Sequence, residues 1–167
     1  QGLLDAAIKK NRSTVEKRDA LLSKIKATTS YDDLKSCDLI IEAVFEDRAI
    51  KADVTKKAEA QLEPSATFAS NTSTLPITGL AKASVRPKNF IGLHFFSPVD
   101  KMQLVEIIVG QETSDETLAK GFDYVLQIGK TPIVVNDSRG FYTSRVFGTY
   151  VSEGIAMLKE GVHPRSI

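Results

Sequence analysis

Short apolar runs rich in β-branched residues alternate along the chain with longer stretches whose apolar residues recur at helical spacing. The short runs lie at 38–44, 66–70 and 90–94, and the stretches with helical spacing lie between them at 49–62 and 76–83. Strands that alternate with helices form parallel sheets with helices on both faces, and ligands bind beyond the carboxyl ends of the strands. The sequence therefore predicts an α/β fold with a partial Rossmann-like, doubly wound sheet and a binding site at that edge.

Helical spacing also opens the chain, where two apolar stripes are separated by a polar break at 11–14. We expect a helical hairpin over 3–25 and a short edge strand over 25–29. Because the first stripe begins almost at residue 1, we expect the chain to be a piece of a longer protein that starts part-way through an element.

The second half of the chain predicts two further strands with a helix between them. The strands are expected at 103–109 and 131–135. The helix is expected at 114–128, where Ser114 can cap the N-terminus and acidic residues in the first turn favour the helix dipole.

A polar segment at 136–140 is the expected domain boundary. After it, helical spacing over 141–159 predicts one long helix. We therefore predict one domain over 1–139 and the first helix of a second domain within 140–167.

Charge and composition exclude several kinds of partner. The 22 Lys and Arg residues nearly balance the 21 Asp and Glu residues, so neither nucleic acid nor an anionic membrane is expected as the main partner. No apolar run approaches the roughly 20 residues that cross a bilayer. Cys37 is the only cysteine, which excludes an internal disulfide and fits a reducing compartment. We expect a cytoplasmic protein without a membrane span.

The chain has two histidines, and His94 lies at the end of a predicted strand. A lone histidine there can be a hydrogen-bonded core residue, which is the simpler interpretation. However, Glu106 lies on the next predicted strand, and a hairpin-like return would bring its carboxylate to the imidazole. A carboxylate on one ring nitrogen orients the other as a general base. No spacing of histidines, cysteines and carboxylates predicts a metal site.

Two further groups of polar residues lie at predicted strand ends. The segment 70–74 offers an amide and several hydroxyls, which either cap the following helix or contact a ligand. Glu46 and Lys51 flank the turn after the strand at 38–44, and from spacing alone a solvated charge pair is the simpler interpretation. No G-x-G-x-x-G string occurs, so the usual turn that holds a dinucleotide pyrophosphate is absent.

Five strings together resemble one family. In chain order they are DLIIEAVFE (38–46), FASNTSTL (68–75), GLHFFSP (92–98), LVEII (104–108) and DSRGFYTSR (137–145). The first four resemble consecutive motifs of the L-3-hydroxyacyl-CoA dehydrogenases, and the last resembles the boundary between their two domains. The first helical pair is most similar to the dehydrogenase part of multifunctional fatty-acid β-oxidation enzymes.

The resemblance implies a role for each matching residue. His94 would be the catalytic base that takes the proton of the 3-hydroxyl, with Glu106 as its carboxylate partner. Ser73 would act beside them, between the substrate oxygen and the nicotinamide ribose. The implied cofactor-binding residues are Val44, Phe45, Glu46, Lys51, Ser73 and Ser97. The implied substrate-binding residues are Ser73, Asn71 and Ser144.

Two of these positions depart from the family pattern. Ser97 and Ser144 stand where much of the family has asparagine, so hydrogen bonding is retained with a shorter reach. A role of Ser144 in positioning the substrate is therefore in doubt.

The resemblance also implies NAD as cofactor, an acyl-CoA substrate, a homo-oligomer and a thiolase partner in the parent complex. Without the glycine-rich turn, we expect the isolated chain to be inactive. Two alternatives remain open, namely a related dehydrogenase of a free polyol or hydroxy acid, and a non-catalytic structural module.

Overall fold

The computed structural model describes all 167 residues, which form two compact units, 1–33 and 34–167. In the first unit, α1 (Gly2–Lys9) and α2 (Val15–Leu22) form the predicted helical hairpin. The ion pair between Arg18 and Asp5, 3.0 Å apart, links the two helices.

The edge strand predicted at 25–29 is wrong, because these residues form no strand. Lys26 and Thr28 instead hydrogen-bond through their side chains to Asp33. The segment is exposed and has no apolar face that a sheet could bury, so local side-chain contacts determine its path.

The second unit is built on a five-stranded sheet whose strands are arranged in chain order. The strands are β1 (Leu39–Glu42), β2 (Thr67–Ser70), β3 (Phe90–Phe95), β4 (Leu104–Val109) and β5 (Thr131–Asn136). The helices are α3 (Arg48–Glu59), α4 (Ile77–Ala81), α5 (Asp115–Gln127) and α6 (Thr143–Lys159). Short 3₁₀ helices lie at Tyr31–Leu34 and Pro87–Asn89. The predicted α/β fold is confirmed.

The sheet departs from a fully parallel one at a single pair, since β3 and β4 run antiparallel while the other neighbours run parallel. The connection from β3 to β4 contains no helix, and a parallel pair would need a crossover of a dozen residues or more. The return places His94 directly opposite Glu106 in the register. The predicted hairpin-like return is therefore confirmed.

The core lies between the sheet and α5, and its buried members are Ala69, Ile91, Leu93, Val105, Ile107 and Val125. On the other face of β3, Gly92 lets α4 approach closely, because a Cβ at this position would lie 2.8 Å from Ile77 and Ile108 side-chain atoms. The strand that carries His94 is thus fixed from both faces.

The two edge strands of the sheet, β1 and β5, have different surroundings. β1 pairs with β2 alone, so the other side of its backbone has no strand partner. At the opposite edge the chain leaves β5 through Gly140 and Phe141, whose φ angles of 75° and 46° lie in the left-handed region. This turn is why α6 begins at Thr143 and not at residue 141 as predicted.

Compactness divides the chain after Asp33, whereas a domain boundary between 139 and 140 stays a prediction. No helix of the chain is both long and apolar enough to cross a membrane.

Candidate active site

A buried histidine and a buried glutamate face each other across the antiparallel strand pair. His94 Nδ1 lies 2.8 Å from Glu106 Oε2, and the two residues are 6% and 0% exposed. A carboxylate on Nδ1 favours the tautomer with its proton there, which leaves Nε2 as the acceptor. We call these two residues the dyad.

The first turn of α6 holds the glutamate of the dyad. Glu106 Oε1 accepts hydrogen bonds from the backbone N–H groups of Tyr142 and Thr143, at 3.1 and 2.8 Å. Oε2 accepts a further bond from the Thr143 hydroxyl, at 2.8 Å. Burial would raise the pKa of Glu106, but the bonds from His94 and Thr143 outweigh it and hold the pKa below its ordinary value of 4.5. Glu106 is therefore a carboxylate at neutral pH.

The imidazole of His94 packs among aromatic rings and lines a cavity. Its centroid lies 4.4 Å from that of Phe96 and 6.0 Å from that of Phe141. The cavity measures about 580 Å³, within the range of small-molecule sites. It is lined by His94, Phe96, Ser97, Met102, Leu104, Thr143, Ser144 and Phe147. The structure thus brings Ser97 and Ser144 together with the histidine, beside mostly apolar side chains.

A second carboxylate organises the loop that carries Ser73. Glu46 Oε1 accepts from the backbone N–H groups of Ser73 and Thr74, both at 3.0 Å, and from the Thr72 hydroxyl. Partial burial opposes ionisation, but these bonds and the Lys51 ammonium lower the pKa of Glu46 to about 2. Glu46 therefore fixes the backbone of this loop as an anion.

Lys51 lies in a buried charge network and not in a solvated pair. The residue is 1% exposed, and its ammonium lies 2.8 Å from Glu42 Oε1 and 3.3 Å from Glu46 Oε2. Ser70 donates to the other oxygen of Glu42 at 2.8 Å. The solvated-pair interpretation is wrong, because α3 packs its Lys51 against the end of β1. In this position the Lys51 ammonium stabilises the Glu46 carboxylate, which holds the backbone of Ser73. A direct contact between Lys51 and a cofactor stays a prediction.

Asn71 and Asp137 connect the loop to its surroundings. Asn71 Oδ1 accepts from the backbone N–H of Phe95 at 2.8 Å, which ties the loop to the residue after His94. The carboxylate of Asp137 accepts from the N–H groups of Ile77 and Thr78, both at 2.8 Å. The first N–H groups of α4 are therefore capped from the end of β5, and the alternative in which segment 70–74 caps them is wrong.

The turn after β1 presents an apolar surface beside these polar groups. Phe45 is 82% exposed and Val44 is also exposed, although both follow a half-buried strand. A role of these two side chains in binding a cofactor stays a prediction. No group of three or more histidine, cysteine or carboxylate side chains is placed to hold a metal ion.

Known sequences of one family match most of this chain. The family described as 3-hydroxyacyl-CoA dehydrogenase, NAD binding domain, matches residues 1–138. The chain belongs to this family. The fatty acid oxidation complex subunit alpha of Shewanella sp. (strain W3-18-1) is 46% identical over 159 residues, and that of Shewanella amazonensis is 45% identical over the same length.

Solved dehydrogenase structures show the same fold. A (S)-3-hydroxybutyryl-CoA dehydrogenase from Ralstonia eutropha has a TM-score of 0.95 and 41% identity, and covers 99% of this chain and 59% of its own. A 3-hydroxybutyryl-CoA dehydrogenase from Escherichia coli has a TM-score of 0.92 and 30% identity, with 97% and 34% covered. The match to the Shewanella sp. relative spans 95% of this chain but 22% of the relative.

Sequence reasoning missed three residues of the site. Glu42 was detectable, since an acidic residue within an apolar strand needs a buried partner. Asp137 and Thr143 gave no such signal, because their partners lie 37 to 60 residues away along the chain. Only the register of β3, β4 and β5 brings them to the site.

Proposed function

We propose that this chain carries the acid–base pair and the nicotinamide side of the cofactor crevice of an NAD-dependent dehydrogenase. The enzyme oxidises (3S)-3-hydroxyacyl-CoA to 3-ketoacyl-CoA in fatty-acid β-oxidation. The observation that supports this most directly is the 2.8 Å contact between His94 Nδ1 and Glu106 on the wall of an open cavity. Membership of the 3-hydroxyacyl-CoA dehydrogenase family supports the reaction class.

His94 takes up and returns the proton in this proposal. With Nδ1–H donated to Glu106, Nε2 accepts the proton of the substrate 3-hydroxyl, and the buried carboxylate stabilises the resulting imidazolium. In the reverse direction the imidazolium returns that proton to the oxygen on C3, which becomes the 3-hydroxyl again. NAD, when bound, supplies the nicotinamide ring that takes up the hydride from C3.

The cofactor is held by residues at the ends of β1, β2 and β3. Val44 and Phe45 offer an apolar surface, and Ser73 and Ser97 offer hydroxyls. Glu46 orients the Ser73 backbone, and Lys51 acts through Glu46. The pyrophosphate would need donors that no G-x-G-x-x-G string in these 167 residues provides.

The substrate is held by Ser73, Asn71 and Ser144. Ser144 lies on the wall of the cavity with His94 and is the best placed of the three. Asn71 already uses its carbonyl oxygen for Phe95, so its contribution is to fix the loop, with its amide left for the substrate oxygen. The apolar wall formed by Met102, Leu104 and Phe147 suits the first carbons of an acyl chain.

The test is turnover of defined substrates with NAD, followed as NADH absorbance. We measure it on the longest gene product that contains these residues, because the chain spans 22% of its first curated relative. Oxidation of 3-hydroxyacyl-CoA thioesters, with no turnover of free hydroxy acids or polyols, is the expected result. Turnover of the free compounds alone would contradict the proposal, and no turnover of either would favour a structural module.

Domains and partners belong to the same proposal. Residues 1–139 form part of the NAD-binding domain, and 140–167 begin an all-α domain. The relatives are named as subunit alpha of a fatty acid oxidation complex, which supports a partner subunit, and the proposal adds that this partner is a thiolase and that the chain forms a homo-oligomer. Co-purification of the full gene product with a thiolase activity, lost after mild dissociation, is the measurement that checks it.

A further inference from the structure

The hydroxyl of Thr143 donates to Glu106 Oε2, the same oxygen that His94 contacts. We propose that Thr143 is a positioning residue of the dyad, which sets the rotation of the Glu106 carboxylate so that Oε2 faces Nδ1 of His94. This inference rests on the proposed function, because it concerns the reaction of His94 as a base. It assigns a role to a side chain on α6 that lines the same cavity as His94 but gives its hydroxyl to Glu106.

The need for such a residue follows from the freedom of a glutamate side chain. The last torsion of glutamate is broad and roughly two-fold, so the side chain alone does not select the plane of its carboxylate. The N–H groups of Tyr142 and Thr143 both approach Oε1, at 3.1 and 2.8 Å. These two bonds hold Oε1 in place, but the plane of the Glu106 carboxylate can still rotate about that oxygen. The Thr143 hydroxyl, 2.8 Å from Oε2, is the contact from α6 that fixes the second oxygen.

Thr143 is suited to this role by its chemistry and its place. Its N–H and its hydroxyl reach the two different oxygens of one carboxylate, so a single residue spans Glu106. The branch at Cβ restricts χ1, which keeps the hydroxyl in place at little entropic cost. α6 has no capping side chain of its own, and Glu106 fills that position from β4. The carboxylate and the helix end therefore fix each other.

The decisive variant is Thr143→Val, which keeps the branched shape and removes the hydroxyl. Hydrogen bonds to a buried charge are strong, so we expect kcat to fall about tenfold. KM for the acyl-CoA should change by less than about twofold, since valine keeps the size and branched shape of the side chain in the cavity wall. Thr143→Ser restores the donor and should recover most of kcat. Thr149→Val is the matched control, because the Thr149 hydroxyl bonds only to Val146 O on the same helix, and should leave kcat unchanged.

A readout without turnover separates this inference from the proposed function. In the 167-residue chain, the Nδ1 proton of His94 gives a downfield proton NMR signal when it is bonded to Glu106. Thr143→Val should move or broaden this signal, whereas Thr143→Ser and Thr149→Val should leave it in place. Thermal unfolding of each variant checks that it is folded, and Thr143→Ala replaces the valine variant if valine is not accommodated.

Loss of kcat and a changed Nδ1 signal in Thr143→Val, both restored by Thr143→Ser, would support the assignment. An unchanged signal and unchanged kcat would overturn it, and so would equal losses in the serine and valine variants. If the wild-type gene product oxidises no 3-hydroxyacyl-CoA, the proposed function fails, while the NMR comparison still decides whether Thr143 positions the dyad.

Discussion

His94 is hydrogen-bonded through Nδ1 and lines a cavity, and the proposed role as a base depends on both features. We predict that His94→Gln lowers kcat by about two to four orders of magnitude, the range for loss of a general base. The glutamine can still donate to Glu106, so the free energy of unfolding should change little. Steady-state kinetics with urea unfolding checks both values.

His163→Gln is the control for that prediction, since His163 is exposed near the end of the chain. It should have normal kcat. Near-normal turnover of His94→Gln would remove His94 from the mechanism.

Glu46 gives the chain an acid-sensitive contact. Its pKa is lowered from 4.5 to about 2, so its contribution to stability is complete above pH 4.5 and is lost as the pH falls to 2. We predict that Glu46→Gln lowers the free energy of unfolding at pH 5 to 7. The difference from wild type should narrow steadily between pH 4.5 and 2, as measured by urea unfolding at a series of pH values.

Glu63→Gln provides the comparison, because Glu63 is exposed. Its unfolding curve should follow that of wild type at every pH. A constant difference between Glu46→Gln and wild type from pH 7 to 2.5 would contradict the stated cause of the shift.

A candidate site residue was predictable from the sequence where the chain has few residues of its type. With two histidines in the chain, His94 and its strand partner stood out. The burial of Lys51 and the contact of Thr143 with Glu106 were not predictable, because sequence spacing reports neither burial nor contacts made across the sheet. A charge pair near a turn looks solvated until the packing of α3 is known.

At the level of elements, the end of β5 stabilises a helix that lies far away in sequence. Asp137 accepts from two N–H groups in the first turn of α4, which has no cap of its own. We predict that Asp137→Ala lowers the free energy of unfolding by about 1 kcal/mol, the usual cost of a lost cap. Thermal or urea unfolding measures this. Asp100→Ala, at an exposed loop position, should change it by less than about 0.5 kcal/mol.

The strands and helices of the second unit were predictable because their apolar periodicity is strong. The antiparallel pair was predictable only through the expected approach of Glu106 to His94. The failed strand at 25–29 and the late start of α6 depend on local features that apolar spacing does not encode. At 25–29 these are the side-chain contacts to Asp33, and at α6 it is the positive φ of Phe141.

At the scale of the molecule, the 167 residues contain no G-x-G-x-x-G turn. Such a turn supplies backbone donors and a helix N-terminus for the pyrophosphate. We predict that this chain by itself binds NADH too weakly to saturate at low micromolar concentration in calorimetry. Saturable binding in that range would show that other groups of the chain replace the turn.

The unpaired side of β1 leads to a prediction about assembly. Free N–H and C=O groups along an edge strand invite pairing with another chain. We predict that the chain forms a dimer or larger assembly in solution, in which β1 or the helices α1 and α2 of each copy cover a neighbour. Light scattering at several concentrations measures the mass, and a strict monomer of 18.3 kDa would contradict the prediction.

Glu106 belongs to the chemistry of the sheet and to the first turn of α6 at the same time. By thermodynamic linkage, any proton or ligand that alters the charge on Glu106 must alter the local opening free energy of that turn, and the reverse holds equally. Amide hydrogen exchange at Tyr142 and Thr143 would therefore report the ionisation of Glu106 in the dyad. The first turn of α6 is therefore expected to open more or less readily according to the charge on Glu106.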